Sequence, residues 1–174
     1  MFENVIKHYL DFPKPGIDFI DVLPFLQDKE AFCQAVREID RLSTAVNVAT
    51  VEARGFLFAA PLLAVSDHVK NIVPFRKKGK LPRETISQDY DLEYGKNTLE
   101  ICKGSLKKGD NVLLLDDLLA TGGTAGAMIK LVEKSGANIV SFAFIIELFD
   151  LGGAKRIKDT YGIDSFSLIS FPGH

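Results

Sequence analysis

The sequence predicts an α/β fold built on a mainly parallel sheet, and three observations carry that expectation. Short continuous apolar runs such as "NVLLLDD" and "NIVSFAFIIEL" read as strands buried on both faces. Segments with helical spacing alternate with them, which implies right-handed crossovers between parallel strands. No internal repeat, low-complexity tract or Ser/Gly linker interrupts the chain, so residues 1–174 are expected to form one domain. In such open sheets a ligand site is expected at the carboxyl ends of the strands.

The elements follow in order. The Pro/Gly-rich stretch "DFPKPGIDF" (Asp11 to Phe19) separates a short N-terminal helix from the body. Asp28 can cap a helix running to about Leu42, with Ala31, Phe32, Ala35, Val36 and Ile39 at helical spacing. "AVNVATVE" reads as a strand and "RGFLFAAPLLAVS" as the helix after it, disturbed locally by Pro61. "KNIVPF" is the next strand. The polar "RKKGKLPRETISQDYDLEYGK" that follows has no helical period and reads as a long irregular segment, of a kind usually functional or mobile. "NTLEICKG" reads as strand and "LKKGD" as turn. "NVLLLDD" is a buried strand ending on its two acids, and "TAGAMIKLVEKSG" a helix stopped by Gly136. "NIVSFAFIIEL", the short helical "GGAKRIKDTYG" and "SFSLIS" complete the sheet before the terminal "FPGH".

Bulk properties narrow the function classes. A chain of 174 residues can enclose a real hydrophobic core, and nearly half of its residues are apolar. A net charge of -2 gives no global attraction to nucleic acid or anionic membrane, so any basic function is local. Cys33 and Cys102 form neither a disulfide framework nor a metal-ligand spacing, and read as buried small hydrophobes in a reducing compartment. No signal or spanning segment is evident, so a soluble cytoplasmic protein is expected, without nucleic-acid or membrane partners. His8, His68 and His174 have no triad-like company.

The stretch "LLLDDLLATGGTAGA" (Leu113 to Ala127) carries the most chemistry: buried strand, two acids, small-residue loop, helix. Amides at a helix start, with the positive end of its dipole, attract an anion. Gly122 and Gly123 let backbone approach a phosphate, and Thr121 and Thr124 add hydroxyl donors. The loop lacks the lysine of the P-loop and the three glycines of the dinucleotide fingerprint. Asp116 and Asp117 would repel a phosphate but suit vicinal hydroxyls, so a sugar phosphate is implied. A second strand-to-helix junction, "VEARGF", offers amides and Arg54 to another anion, although Arg54 alone also fits a solvated helix start. The basic run Arg76, Lys77, Lys78 and Lys80 follows a strand end beside both expected anion loops.

The acid pair with "TGGT" closely resembles the 5-phosphoribosyl 1-pyrophosphate motif of the type I phosphoribosyltransferases. Together with "DFPKPGIDFIDV", "VEARGFLF" and "RKKGKLPRETISQDYDLEYG", the chain resembles the adenine phosphoribosyltransferase family from about Phe12 to its end. That resemblance implies a parallel sheet flanked by helices, a small N-terminal hood (about residues 1–27) and a mobile catalytic loop. It implies transfer of the phosphoribosyl group to adenine, giving AMP and pyrophosphate, in purine salvage. It assigns Asp116, Asp117 and Ala120 to Thr124 to the phosphoribose, and Glu52, Ala53, Arg54, Arg76, Lys77 and Lys80 to pyrophosphate. A non-proline cis peptide is implied near Glu52-Ala53. It implies that backbone around Asp18 to Ile20 meets the base edge and that Phe19 stacks on the ring. It also implies a part in catalysis for Arg54, and sets Glu93, by itself only an exposed loop acid, at the acid/base position with Tyr94 beside it. Mg²⁺ is expected on the substrate rather than in a protein cage, and a homodimer is implied.

Three positions depart from the family pattern: Asp18 replaces an apolar residue, Ile20 an arginine and Thr50 a glycine. The ribose-phosphate machinery does not itself read the base, so xanthine or hypoxanthine is the enzymic alternative. A regulator sensing phosphoribosyl pyrophosphate on nucleic acid is disfavoured by the charge and by the lack of a helix-turn-helix pattern. A receiver-type phosphate switch would explain the paired acids but not "TGGT" or "RKKGKLP".

Overall fold

The computed structural model describes residues 2–92 and 95–173. A small antiparallel pair comes first, β1 (Lys7–Leu10) with β2 (Asp18–Asp21). Then follow α1 (Lys29–Arg41), β3 (Asn47–Val51), α2 (Arg54–Ala59), α3 (Leu62–Val65), β4 (Asn71–Lys77), β5 (Thr85–Leu92) and β6 (Gly95–Cys102). The second half is β7 (Asn111–Leu119), α4 (Gly123–Lys134), β8 (Asn138–Leu148), α5 (Gly153–Tyr161) and β9 (Ser165–Phe171).

Seven strands lie side by side in the order β5-β6-β4-β3-β7-β8-β9. The five from β4 to β9 pair in parallel, and β6 and β5 extend that sheet antiparallel at one edge. From β3 the chain crosses to β4 on one side, and from β7 to β8 on the other. The direction of winding therefore reverses between β3 and β7, and a crevice is expected there, at their carboxyl ends.

Alternation along β7 supplies both faces of the core. Val112 and Leu114 join α4, α5, Val73 and Phe75 on one face. Leu113 and Leu115 join α1, α2 and α3 on the other, together with Ile20, Val22 and Phe25 from the N-terminal segment. Each such side chain, taken fully out of water, contributes about 1.5–3 kcal/mol. The helix at Asp28 starts as expected, its carboxylate accepting from the Ala31 amide at 3.0 Å. Pro61 divides α2 from α3.

The structure departs from the sequence reading at four places. The N-terminal helix is only a 3₁₀ turn at Phe2–Val5, because the next residues pair across to β2 as a strand. Among the described residues the segment from Arg76 to Lys96 is not irregular throughout. Thr85–Leu92 is β5, paired along its length with β6, with Ile86 and Tyr90 laid on the core at a period of two. β7 does not stop at its acids but runs to Leu119, since Leu118 and Leu119 still pair with Ile146 and Glu147 of β8. Both cysteines are free, yet only Cys102 is buried; Cys33 is half-buried. Among the described residues no helix is long and apolar enough to cross a membrane.

Candidate active site

The crevice between the carboxyl ends of β3 and β7 opens into a cavity of about 600 Å³. The loops that line it are the two junctions singled out in the sequence. Glu52, Ala53 and Arg54 enter from β3, Asp116 and Asp117 from β7, and Ala120 to Thr124 from the loop that starts α4. Lys77 enters from the end of β4. Leu118, Tyr90 of β5 and Leu151, beyond β8, complete much of the wall.

The α4 junction is built for an anion. Gly122, the residue before the helix, has φ +81°, and no side chain caps the first turn. The first-turn amides are therefore left for another partner. A Cβ on Gly122 would lie 3.4 Å from the Gly153 carbonyl oxygen, so glycine answers both the backbone angle and the close approach of α5. Arg156 of α5 donates to the Thr121 carbonyl at 3.3 Å, bracing the loop from outside.

The β3 junction holds a cis peptide at Glu52-Ala53, as the resemblance implies. Its Glu52 side chain turns to the neighbouring strand. Oε1 accepts from the Lys77 amide at 2.5 Å and Oε2 from Arg76 at 3.2 Å. Burial pushes this carboxyl up, but the Arg76 and Lys77 hydrogen bonds and charges outweigh burial and hold it below the usual value. Arg76 is thus engaged in holding Glu52 and does not line the cavity. Lys80 is exposed and does not line it either.

The acid pair forms the floor, each residue 7% exposed. Asp116 Oδ1 accepts from the Asp117 amide at 2.8 Å. Burial, and after it the charge and hydrogen bonding of Asp117, push Asp116 well above the usual carboxyl range; the Asp117 amide and the Arg54 charge offset only part of this. Asp117 Oδ2 lies 2.7 Å from Arg54 Nε without the alignment of a hydrogen bond. Under the pair, Thr50 is fully buried with its hydroxyl unpartnered, and a Cβ on Gly55 would stand 2.5 Å from that oxygen.

Arg54 also reaches the N-terminal pair: its guanidinium carbon stands 5.9 Å from the centroid of the Phe19 ring. Asp18, Phe19 and Ile20 do not line the cavity itself. Asp18 is bound to His8 at 2.7 Å, and the Ile20 side chain is 4% exposed within the core, so these two side chains are engaged elsewhere. Glu93 and Tyr94 lie outside the described residues. Tyr90, Leu118 and Leu151 were not anticipated. The alternation of Ile86 and Tyr90 marked the first, whereas nothing local in the sequence marks Leu151.

Comparisons with known proteins place the chain in a family. The family model described as a phosphoribosyl transferase domain matches residues 29–172. An adenine phosphoribosyltransferase of Shigella flexneri serotype 5b is 51% identical over 175 residues, covering 99% of this chain and 94% of that protein. Among solved structures, the adenine phosphoribosyltransferase of Thermoanaerobacter pseudethanolicus superposes with a TM-score of 0.89 at 44% identity, covering 98% of this chain and all of that one. The Saccharomyces cerevisiae enzyme, complexed with an imino-altritol bisphosphate and adenine, superposes at 0.85 with 34% identity, over 96% of both chains.

Proposed function

The chain belongs to the phosphoribosyltransferase family, and from that premise we propose how its residues divide the work of moving a 5-phosphoribosyl group from 5-phosphoribosyl 1-pyrophosphate to adenine. The products are AMP and pyrophosphate, and the reaction is a step of purine salvage. The observation that carries the site reading is the pairing of two backbone-rich strand-to-helix junctions around one acid pair in a single cavity.

In this reading the Ala120 to Thr124 loop receives the 5′-phosphate. Its uncapped first-turn amides and the left-handed Gly122 support that role. Asp116 and Asp117 take the ribose hydroxyls. A pair of buried acids cannot both be charged cheaply, which suits a partner that both donates and accepts hydrogen bonds. The Glu52 to Arg54 junction and Lys77 receive the pyrophosphate. As the bond from C1′ to the pyrophosphate oxygen breaks, positive charge grows on the sugar and negative charge on the leaving group. Fixed amides and cations aimed at that charge are commonly the largest source of rate. Arg76 serves the same end indirectly, by holding Glu52, and Lys80 adds local positive potential.

Adenine is held by the backbone of Asp18 to Ile20 with Phe19 stacked on its ring; the Arg54 contact, which ties that ring to the cavity, supports this. With Asp18 paired to His8 and Ile20 in the core, the two departures from the family pattern leave the backbone contacts intact. N9 of adenine attacks C1′, and Glu93 manages the proton shared between N7 and N9. The β5–β6 hairpin, with Tyr90 in the wall, keeps water from the activated sugar. Residues 1–27 act as the hood.

Mg²⁺ fits the donor set. Asp116 and Asp117 in the cavity wall offer the one or two carboxylates that suit a cation carried by substrate phosphates. When bound it supplies neutralisation of the pyrophosphate charge. We assign the enzyme to the cytoplasm, in keeping with its unbridged cysteines, and to a homodimer, in keeping with the exposed Leu23, Leu26, Leu63 and Val65.

The test is to supply the purified protein with phosphoribosyl pyrophosphate, Mg²⁺ and each purine in turn. Pyrophosphate and AMP are expected with adenine. Release with hypoxanthine and not with adenine would overturn the base assignment, and no release with any base would overturn the enzyme.

A further inference from the structure

Only three acids are buried among the described residues: the Asp116–Asp117 pair and Glu100. Glu100 sits in mid-strand on β6, between Leu99 and Ile101, each 1% exposed. Burying a carboxyl is costly unless a donor meets it, and an apolar side chain would satisfy the packing alone. The donor here is the backbone amide of Gly79, at 2.9 Å from Oε2.

Gly79 belongs to the tight turn that carries the basic run. The Lys80 amide donates to the Lys77 carbonyl at 3.2 Å, and Gly79 takes φ +78° at the third position. The Lys78 amide donates to the Thr98 carbonyl at 3.1 Å. Two carboxyls therefore clamp the turn from either side. Glu52 holds the Lys77 amide and Glu100 holds the Gly79 amide. The pairing of β4 with β6 sets Arg76 opposite Glu100, so both carboxyls act on the same short stretch.

We propose that Glu100 is a positioning residue for the leaving pyrophosphate. It fixes the turn through the Gly79 amide, and thereby the place from which Lys77 meets the cavity. A lysine is a point charge on a flexible stem, so its reach is governed by where its backbone is held. A cation held in place before reaction stabilises developing charge without reorganising. This inference rests on the reading of Lys77 as a pyrophosphate contact.

Three variants test it. Glu100→Leu keeps volume and burial but removes the acceptor, and Glu100→Gln keeps an acceptor. For Glu100→Leu the expected result is a fall of about tenfold in kcat/KM for phosphoribosyl pyrophosphate, the size of one lost hydrogen bond to a charged group. Product inhibition by pyrophosphate weakens in parallel, the KM for adenine is unchanged, and Glu100→Gln recovers most of the loss. A folded Glu100→Leu enzyme with wild-type phosphoribosyl pyrophosphate kinetics, or one whose constants for both substrates worsen alike, overturns the proposal. Lys77→Ala separates the two levels. If it weakens pyrophosphate binding while Glu100→Leu does not, the positioning role alone fails. If Lys77→Ala changes nothing, the pyrophosphate reading of the turn fails with it.

Discussion

Asp116 shows how function and stability oppose one another at a single side chain. Its carboxyl is buried beside a second acid, and its pKa stands well above the ordinary 3.8. The native state therefore binds this proton more tightly than the unfolded chain does. Between pH 3.8 and the raised value, unfolding becomes easier as pH rises, because the folded protein must give up a proton it favours. The contribution is fully present below pH 3.8 and absent above the raised value. Asp116→Asn should keep the oxygen that accepts from the Asp117 amide while removing the ionisation. We expect it to melt higher than wild type at pH 8, by roughly 2–4 °C per kcal/mol recovered. At pH 3.5 the difference should vanish, and phosphoribosyl pyrophosphate binding should weaken at neutral pH. Equal melting shifts at both pH values would show that Asp116 carries no such strain. Glu52 has the opposite sign: its lowered carboxyl contributes stability that is lost as the pH falls.

The junction between β3 and α2 makes the corresponding point for an element. Gly55 is the second residue of α2, next to Arg54 in the cavity wall, and it lies directly on the Thr50 hydroxyl. An added methyl at 2.5 Å from that oxygen must displace it, or displace the loop. Gly55→Ala is expected to destabilise the protein by about 1–3 kcal/mol, the usual cost of overpacking. Thr50→Ala should relieve much of that cost, so the two changes should be strongly non-additive in a double-mutant cycle read by denaturant unfolding. Additive effects would mean that the two residues do not press on each other.

Elements were legible in the sequence wherever the local pattern and the tertiary context asked for the same thing. Asp28 announced α1, Gly136 closed α4, and the apolar run at Leu113 gave a strand buried on both faces. β1 and β2 leave little local signal, because each has four residues and exists by pairing with the other. β5 is masked by its polar composition, and only Ile86 and Tyr90 carry its period of two. At the site, Arg54, Lys77, the acid pair and the Ala120 to Thr124 loop are where their motifs put them. Arg76 is not, because its partner Glu52 lies 24 residues away and no local signal marks that pairing. The Thr50 departure proved to be a packing matter beneath Gly55, while Ile20 belongs to the core.

Across the whole molecule, topology assembles the site. β4, β3 and β7 are neighbours in the sheet although β5 and β6 intervene between β4 and β7 in sequence. Their adjacent carboxyl ends bring residues 52–54, 77 and 116–124 to one cavity, at the place where the winding reverses. Cations stand at this end of the sheet: Arg54 on the acid pair and Lys77 in the cavity wall, with Arg76 outside the wall on Glu52. The measurement that tests this most directly is a crystal structure of the protein with AMP and pyrophosphate. The 5′-phosphate is expected on the amides of Ala120 to Thr124, the ribose hydroxyls at Asp116 and Asp117, the adenine ring against Phe19, and pyrophosphate between the Glu52–Arg54 junction and Lys77. A phosphate of AMP bound away from the α4 junction, or pyrophosphate with no contact to residues 52–54, would contradict it.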